Sequence, residues 1–154
     1  MVEYTRSEIR DLLISFIILS ICFTISTVKM NFPDAISILP IVTVGVGMGF
    51  ILRELAQKFV AIKYGYKAEF KLWPLGLLIT FISSLLGFVL AFVGLVEIDA
   101  DDVPDEIKGR TAVAGPMANM TLALLFIVIA ALIYPLRSYS IVFNLIFLII
   151  SNSV

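Results

Sequence analysis

The sequence contains no histidine and a single cysteine, Cys22. The first absence excludes every imidazole-ligated metal site and every His-based catalytic triad. The second excludes an internal disulfide; Cys22 lies in an apolar run and says nothing about redox compartment. No charge of either sign dominates: the net charge is −1, which implies no nucleic-acid surface. Internal repeats and low-complexity tails are missing as well. Apolar length is what the chain has in abundance. It is 60% hydrophobic over 154 residues, against about 45–50% in soluble domains, and its mean hydropathy is +1.07.

Several runs reach or approach the roughly 20 residues that cross a bilayer. The chain therefore reads as one integral membrane domain over residues 1–154, all-α and multi-span, with short interfacial β-strands. Residues 1–8 are polar, and Ser7 is placed to cap a first helix. A span over about 11–29 follows; it is too long for a signal peptide and no small-residue cleavage site comes after it. Residues 29–40 read as a loop, with Asn31, Pro33 and Pro40 as breakers. The second span, 41–64, opens with Gly45, Gly47 and Gly49. Gly45 and Gly49 share a helix face, which admits close approach of another helix or leaves loose packing. Gly65 ends this helix.

Residues 66–73 alternate and predict a short interfacial strand stopped by Pro74, with Trp73 and the tyrosines at headgroup level. Lys58, Lys63, Lys67 and Lys71 cluster near one span end and place it on the cytoplasmic side of a cell membrane. Residues 75–96 either cross or form a re-entrant hairpin broken at Ser83, Ser84 and Gly87, a shape tolerated where protein packs against it. A short strand at 96–98 and an acidic solvated loop at 99–106 come next, the loop lacking EF-hand spacing. A span at 112–133 and an incomplete one at 139–154 complete the chain.

One stretch contradicts its surroundings. Arg53-Glu54-Leu55-Ala56-Gln57 sits inside the apolar run 43–62, where a central Arg costs roughly 2.5–3.5 kcal/mol, so function is the default reading. Arg53 and Gln57 share a helix face, with Glu54 beside them. With His at 53 and 57 the run would read H-E-L-A-H, the zinc-protease helix motif. The Glu is present and both His are replaced.

These residues resemble the site-2 protease family, the intramembrane zinc metalloproteases, in a short prokaryotic form. One block is the degenerate motif followed by Ala61, Tyr64-Gly65 and Leu72-Trp73-Pro74-Leu75-Gly76. The other is Ala114-Gly115-Pro116-Met117-Ala118-Asn119, similar to the family's A-G-P-x-x-N. The resemblance covers roughly residues 43–133, including a strand over 94–98, and implies a site-2-protease-like transmembrane core. It puts Glu54 at the general-base position and Arg53 and Gln57 at two zinc-ligand positions. Asn152 falls at the third, after a Phe143-Asn144-Leu145 run that is similar to the family's. Arg has no lone pair to offer a metal, and a Gln carbonyl suits hard cations better than zinc. No cofactor is expected from the chain as written, and zinc only if the family site were intact. Gly115, Pro116 and Asn119 stand at the family's substrate-contacting or packing positions.

Each residue also has a plainer role. Glu54 pairs with Lys58 at i,i+4; Arg53 snorkels to water; Gln57 bonds a neighbouring helix; Asn119 satisfies backbone groups freed by Pro116. Three functions follow. The chain is a non-catalytic pseudoprotease that binds a transmembrane segment or partner subunit in the lipid bilayer. Alternatively it is a zinc protease represented by an inactivated or truncated chain, or a small structural subunit of a membrane complex.

Overall fold

The structure, a computed structural model, describes residues 4–28, 32–100, 102–133 and 148. Its elements run α1 (Arg6–Val28), α2 (Phe32–Lys63), β1 (Ala68–Leu72), α3 (Pro74–Leu85), β2 (Gly94–Ile98) and α4 (Asp105–Ile133). Helices α1, α2 and α4 are each long and apolar enough to cross a membrane. Their outward faces carry exposed apolar side chains, among them Ile17, Val44, Phe59, Leu124 and Leu132, as expected where lipid is the solvent.

Three helix starts differ from the sequence expectation. The cap of α1 is Thr5, whose Oγ1 accepts the Glu8 N–H at 3.2 Å; Ser7 is inside the helix. The loop expected over 29–40 is largely helix, because α2 begins at Phe32. Pro33 falls in the first turn, where its missing N–H would have no partner anyway. Pro40 lies inside α2 and frees only the carbonyl of Ile36, a residue largely exposed near the helix start. The acidic loop ends early: Asp105 and Glu106 form the first turn of α4, where negative charge faces the positive end of the helix dipole.

Gly65 ends α2 with φ +86°. The Tyr66 N–H bonds the Ala61 carbonyl at 3.1 Å and the Gly65 N–H that of Ile62 at 2.9 Å, the two reciprocal bonds of a Schellman cap. β1 and β2 then pair antiparallel with Phe70 opposite Val96. The far edge of β1 is closed by carboxylates of α1. Glu8 accepts the Phe70 N–H at 3.1 Å and Asp11 the Leu72 N–H at 3.4 Å.

Residues 75–96 do not form one continuous helix. α3 has 12 residues, about 18 Å of rise, and the chain turns at Gly87, φ +89°. Residues 88–93 run back to β2, and side chains of α3 satisfy their backbone. The Thr80 hydroxyl lies 2.7 Å from the Leu90 carbonyl and accepts the Phe92 N–H at 3.1 Å, while Ser83 Oγ accepts the Leu90 N–H at 3.0 Å. Gly76 makes this possible: a Cβ there would collide with the Phe92 carbonyl oxygen.

The main core joins α1, α2, β1 and the returning segment through Leu19, Phe23, Val42, Val46, Phe50, Phe70 and Val93, with Leu148 against them. Phe50 and Phe70 meet edge to face, 5.6 Å between centroids. A smaller cluster, Leu122 and Ala123 with Met48 and Phe126, joins α2 to α4. Gly47 admits the Phe16 ring of α1, 3.1 Å from where its Cβ would stand.

Candidate functional site

α2 and α4 cross where the two sequence blocks meet. A Cβ on Gly115 would stand 2.7 Å from Arg53 Cγ and 2.9 Å from Gln57 Nε2, so the absence of a side chain at 115 is what lets these two lie in the seam. Pro116 belongs to the same device. Its missing N–H frees the carbonyl four residues earlier, Ala112, and Gln57 Nε2 donates to that oxygen in a long bond of 3.4 Å. The group that answers the freed carbonyl is therefore Gln57 and not Asn119. Asn119 is fully buried, and neither atom of its amide has a hydrogen-bond partner. Thr111, Gly115 and Asn119 recur every fourth residue on one face of α4. The Thr111 hydroxyl is also buried without a hydrogen bond.

Glu54 does not pair with Lys58. The Lys58 ammonium turns to α1, 2.6 Å from Glu8 Oε2, with the Tyr4 ring 4.0 Å away. Both partners of this ion pair are almost wholly buried, at 3% and 1% side-chain exposure. The same Glu8 also accepts the Phe70 N–H, so its carboxylate meets two donors. Burial pushes the Tyr4 phenol above its ordinary value, and the Glu8 carboxylate adds to the shift. Glu54 is 6% exposed, its Oε2 has no hydrogen-bond partner, and its counter-charge among the described residues is Arg53, with Nε 3.9 Å from Oε1. Arg53 is mostly buried, at 23% side-chain exposure.

The site opens two ways. Glu54 lines a cavity of about 160 Å³ shared with Tyr4, Glu8 and Lys58. Gln57, Thr111 and Ala112 line a cleft of about 440 Å³ whose other wall is β2, at Val96 and Ile98, with Lys108.

Zinc does not fit these residues. A guanidinium and a carboxamide stand where imidazoles would bind, and Arg53 would repel a divalent cation. Among the described residues no three His, Cys, Asp or Glu side chains gather into a metal site. Asn152 and the run 139–154 lie outside the described residues, apart from Leu148.

Sequence reasoning missed Glu8, Asp11 and Thr111. Thr5-x-x-Glu8 is a capping-box pattern that marks where α1 starts, but nothing local tells that Glu8 reaches Lys58, fifty residues away. Thr111 was legible as one turn before Gly115.

A protein of Methanocaldococcus jannaschii that bears a provisional zinc metalloprotease name is similar to this chain. The two are 37% identical over 134 residues, which span 86% of this chain and 67% of the relative. No family model matches the chain and no solved structure matches it.

Proposed function

The chain belongs to the family of that zinc metalloprotease, and on this premise we propose that it is a site-2-protease-like membrane protein that has exchanged its zinc ligands. In this reading it binds a transmembrane segment or a partner subunit without cutting it. The observation that carries the reading is Gly115 seated against Arg53 and Gln57. Two blocks some sixty residues apart meet as parts of one site, while the side chains at the meeting point cannot hold zinc. Glu54 keeps the general-base position but has no metal-bound water to deprotonate. Its role is then structural, and the seam and the cleft beside Gln57 serve binding. The lysine-bearing end of α2 faces the cytoplasm in the same reading. Lys58 adds little to that bias, because Glu8 neutralises it, and Lys63 and Lys67 carry it.

The test is the zinc content of the detergent-purified protein after zinc has been offered and excess removed, together with incubation with a transmembrane peptide substrate. No zinc above background and no cleavage are expected, with the peptide retained in crosslinking. Near-stoichiometric zinc, or cleavage lost in Glu54→Gln, overturns the proposal. It would favour the second reading, a zinc protease, which the relative's name supports.

A further inference from the structure

We propose that Arg53, packed on α2 against Gly115 of α4, replaces a metal as the internal counter-charge to Glu54. The inference rests on the pseudoprotease reading and says what took the place of the lost cation.

Three observations carry it. First, Glu54 is a carboxylate sealed at 6% exposure, about 13 Å of helix rise before the end of α2 at Lys63. A buried carboxylate forfeits its hydration and needs a cation or a full set of donors in exchange. Oε2 is buried without a hydrogen-bond donor. Second, the other nearby cation is committed. Lys58 lies one helical turn on, but its ammonium is 2.6 Å from Glu8. Third, Arg53 packs against Gly115: its Cγ lies 2.7 Å from where the Cβ of any other residue at 115 would stand. Gly115 is thus the room made for this cation. The contact with Glu54, 3.9 Å from Nε to Oε1, is one of charge with charge and not a hydrogen bond.

The consequence is a motif that has inverted its dependence. In a metal site the ligands are neutral or anionic and the cation is borrowed from solution. Here a ligand position supplies the positive charge, so folding needs no metal and a metal would meet repulsion.

The experiment is a charge cycle on the full chain in detergent, reading the thermal unfolding midpoint. Arg53→Gln keeps a polar group but shortens the side chain and removes the charge, and its midpoint should fall by about 5 °C or more. Arg53→Lys should keep most of the wild-type midpoint. Arg53→Gln combined with Glu54→Gln should recover at least half of the loss, because neither charge then remains. If Arg53→Gln yields no folded protein, recovery of folded protein in the double variant supports the proposal and its failure overturns it. A wild-type midpoint for Arg53→Gln, or a double variant no better than the single one, also overturns it. A zinc titration of the wild type on the same instrument keeps the two ideas apart. A zinc-raised midpoint sinks the zinc-free reading, whereas a failed charge cycle without zinc binding sinks only the role of Arg53.

Discussion

At position 115 the lack of a side chain has consequences in two directions. A methyl there would meet Arg53 Cγ at 2.7 Å and Gln57 Nε2 at 2.9 Å, so the neighbours or the helices must shift. Gly115→Ala should destabilise the protein by about 1–3 kcal/mol despite the better helix propensity of alanine. Gly109 lies on the same helix with nothing within 4 Å of its would-be Cβ. There Gly109→Ala should be neutral or stabilising by up to about 1 kcal/mol. Equal unfolding midpoints for the two variants in detergent would remove Gly115 from its place in the argument. The polar residues were only half legible. That Arg53, Glu54 and Gln57 stand apart from their surroundings followed from polar groups in an apolar run. Their partners did not follow, because partner choice here is decided by contacts between distant segments. Lys58 prefers Glu8 of α1 to Glu54 one turn away, since Glu8 is held by both the ammonium and the Phe70 N–H.

Among the elements, those set by local chemistry were readable: the end of α2 at Gly65, strand β1 before Pro74, and strand β2 near 96–98. The start of α2 was not, because prolines near a helix start look like breakers and yet cost little there. The hairpin 74–93 depends on Thr80 and Ser83 for its backbone bonds. Thr80→Val keeps the shape and removes the hydroxyl, leaving the Phe92 N–H and the Leu90 carbonyl only their tight-turn bond to each other, 2.9 Å. It should cost about 1–3 kcal/mol, and hydrogen exchange at residues 88–93 should rise well above that of α2. Unchanged exchange would mean that the returning segment is held by other means. At the exposed face of the sheet, Lys71 donates to Glu97 at 2.5 Å, and this hydrogen bond holds the ammonium above its ordinary pKa. A raised folded-state pKa means that the pair contributes fully below the ordinary lysine range, and the contribution is lost as pH rises through the folded value. An NMR titration of labelled Lys71 should therefore show a midpoint above that of a free lysine, returning to it in Glu97→Gln.

For the whole molecule, the question is which face each segment reaches, and hydropathy alone answered it ambiguously. Residues 75–96 are apolar enough to cross, but apolarity measures what a segment can face, not where it goes. The fold decides by pairing. The Asp99 N–H bonds the Lys67 carbonyl at 2.8 Å and β1 lies along β2, so the chain leaves and returns to one sheet. The intervening α3 rises about 18 Å, too little for a hydrocarbon core of about 30 Å. The end of α2 and the start of α4 thus lie at one sheet, which brings Gly115 to Arg53; in the proposed reading they share a membrane face. Cysteine labelling in sealed vesicles tests this, with Cys22→Ser as background because Cys22 is the only native thiol. Lys67→Cys and Lys108→Cys, at exposed positions on either side of the hairpin, should react with an impermeant reagent from the same side. Phe88→Cys, at the turn of the hairpin, should react from neither side if the hairpin re-enters the bilayer. Labelling of Phe88→Cys from the face opposite Lys67→Cys would make residues 75–96 a crossing. It would also separate the two blocks whose meeting supports the function proposed for the protein.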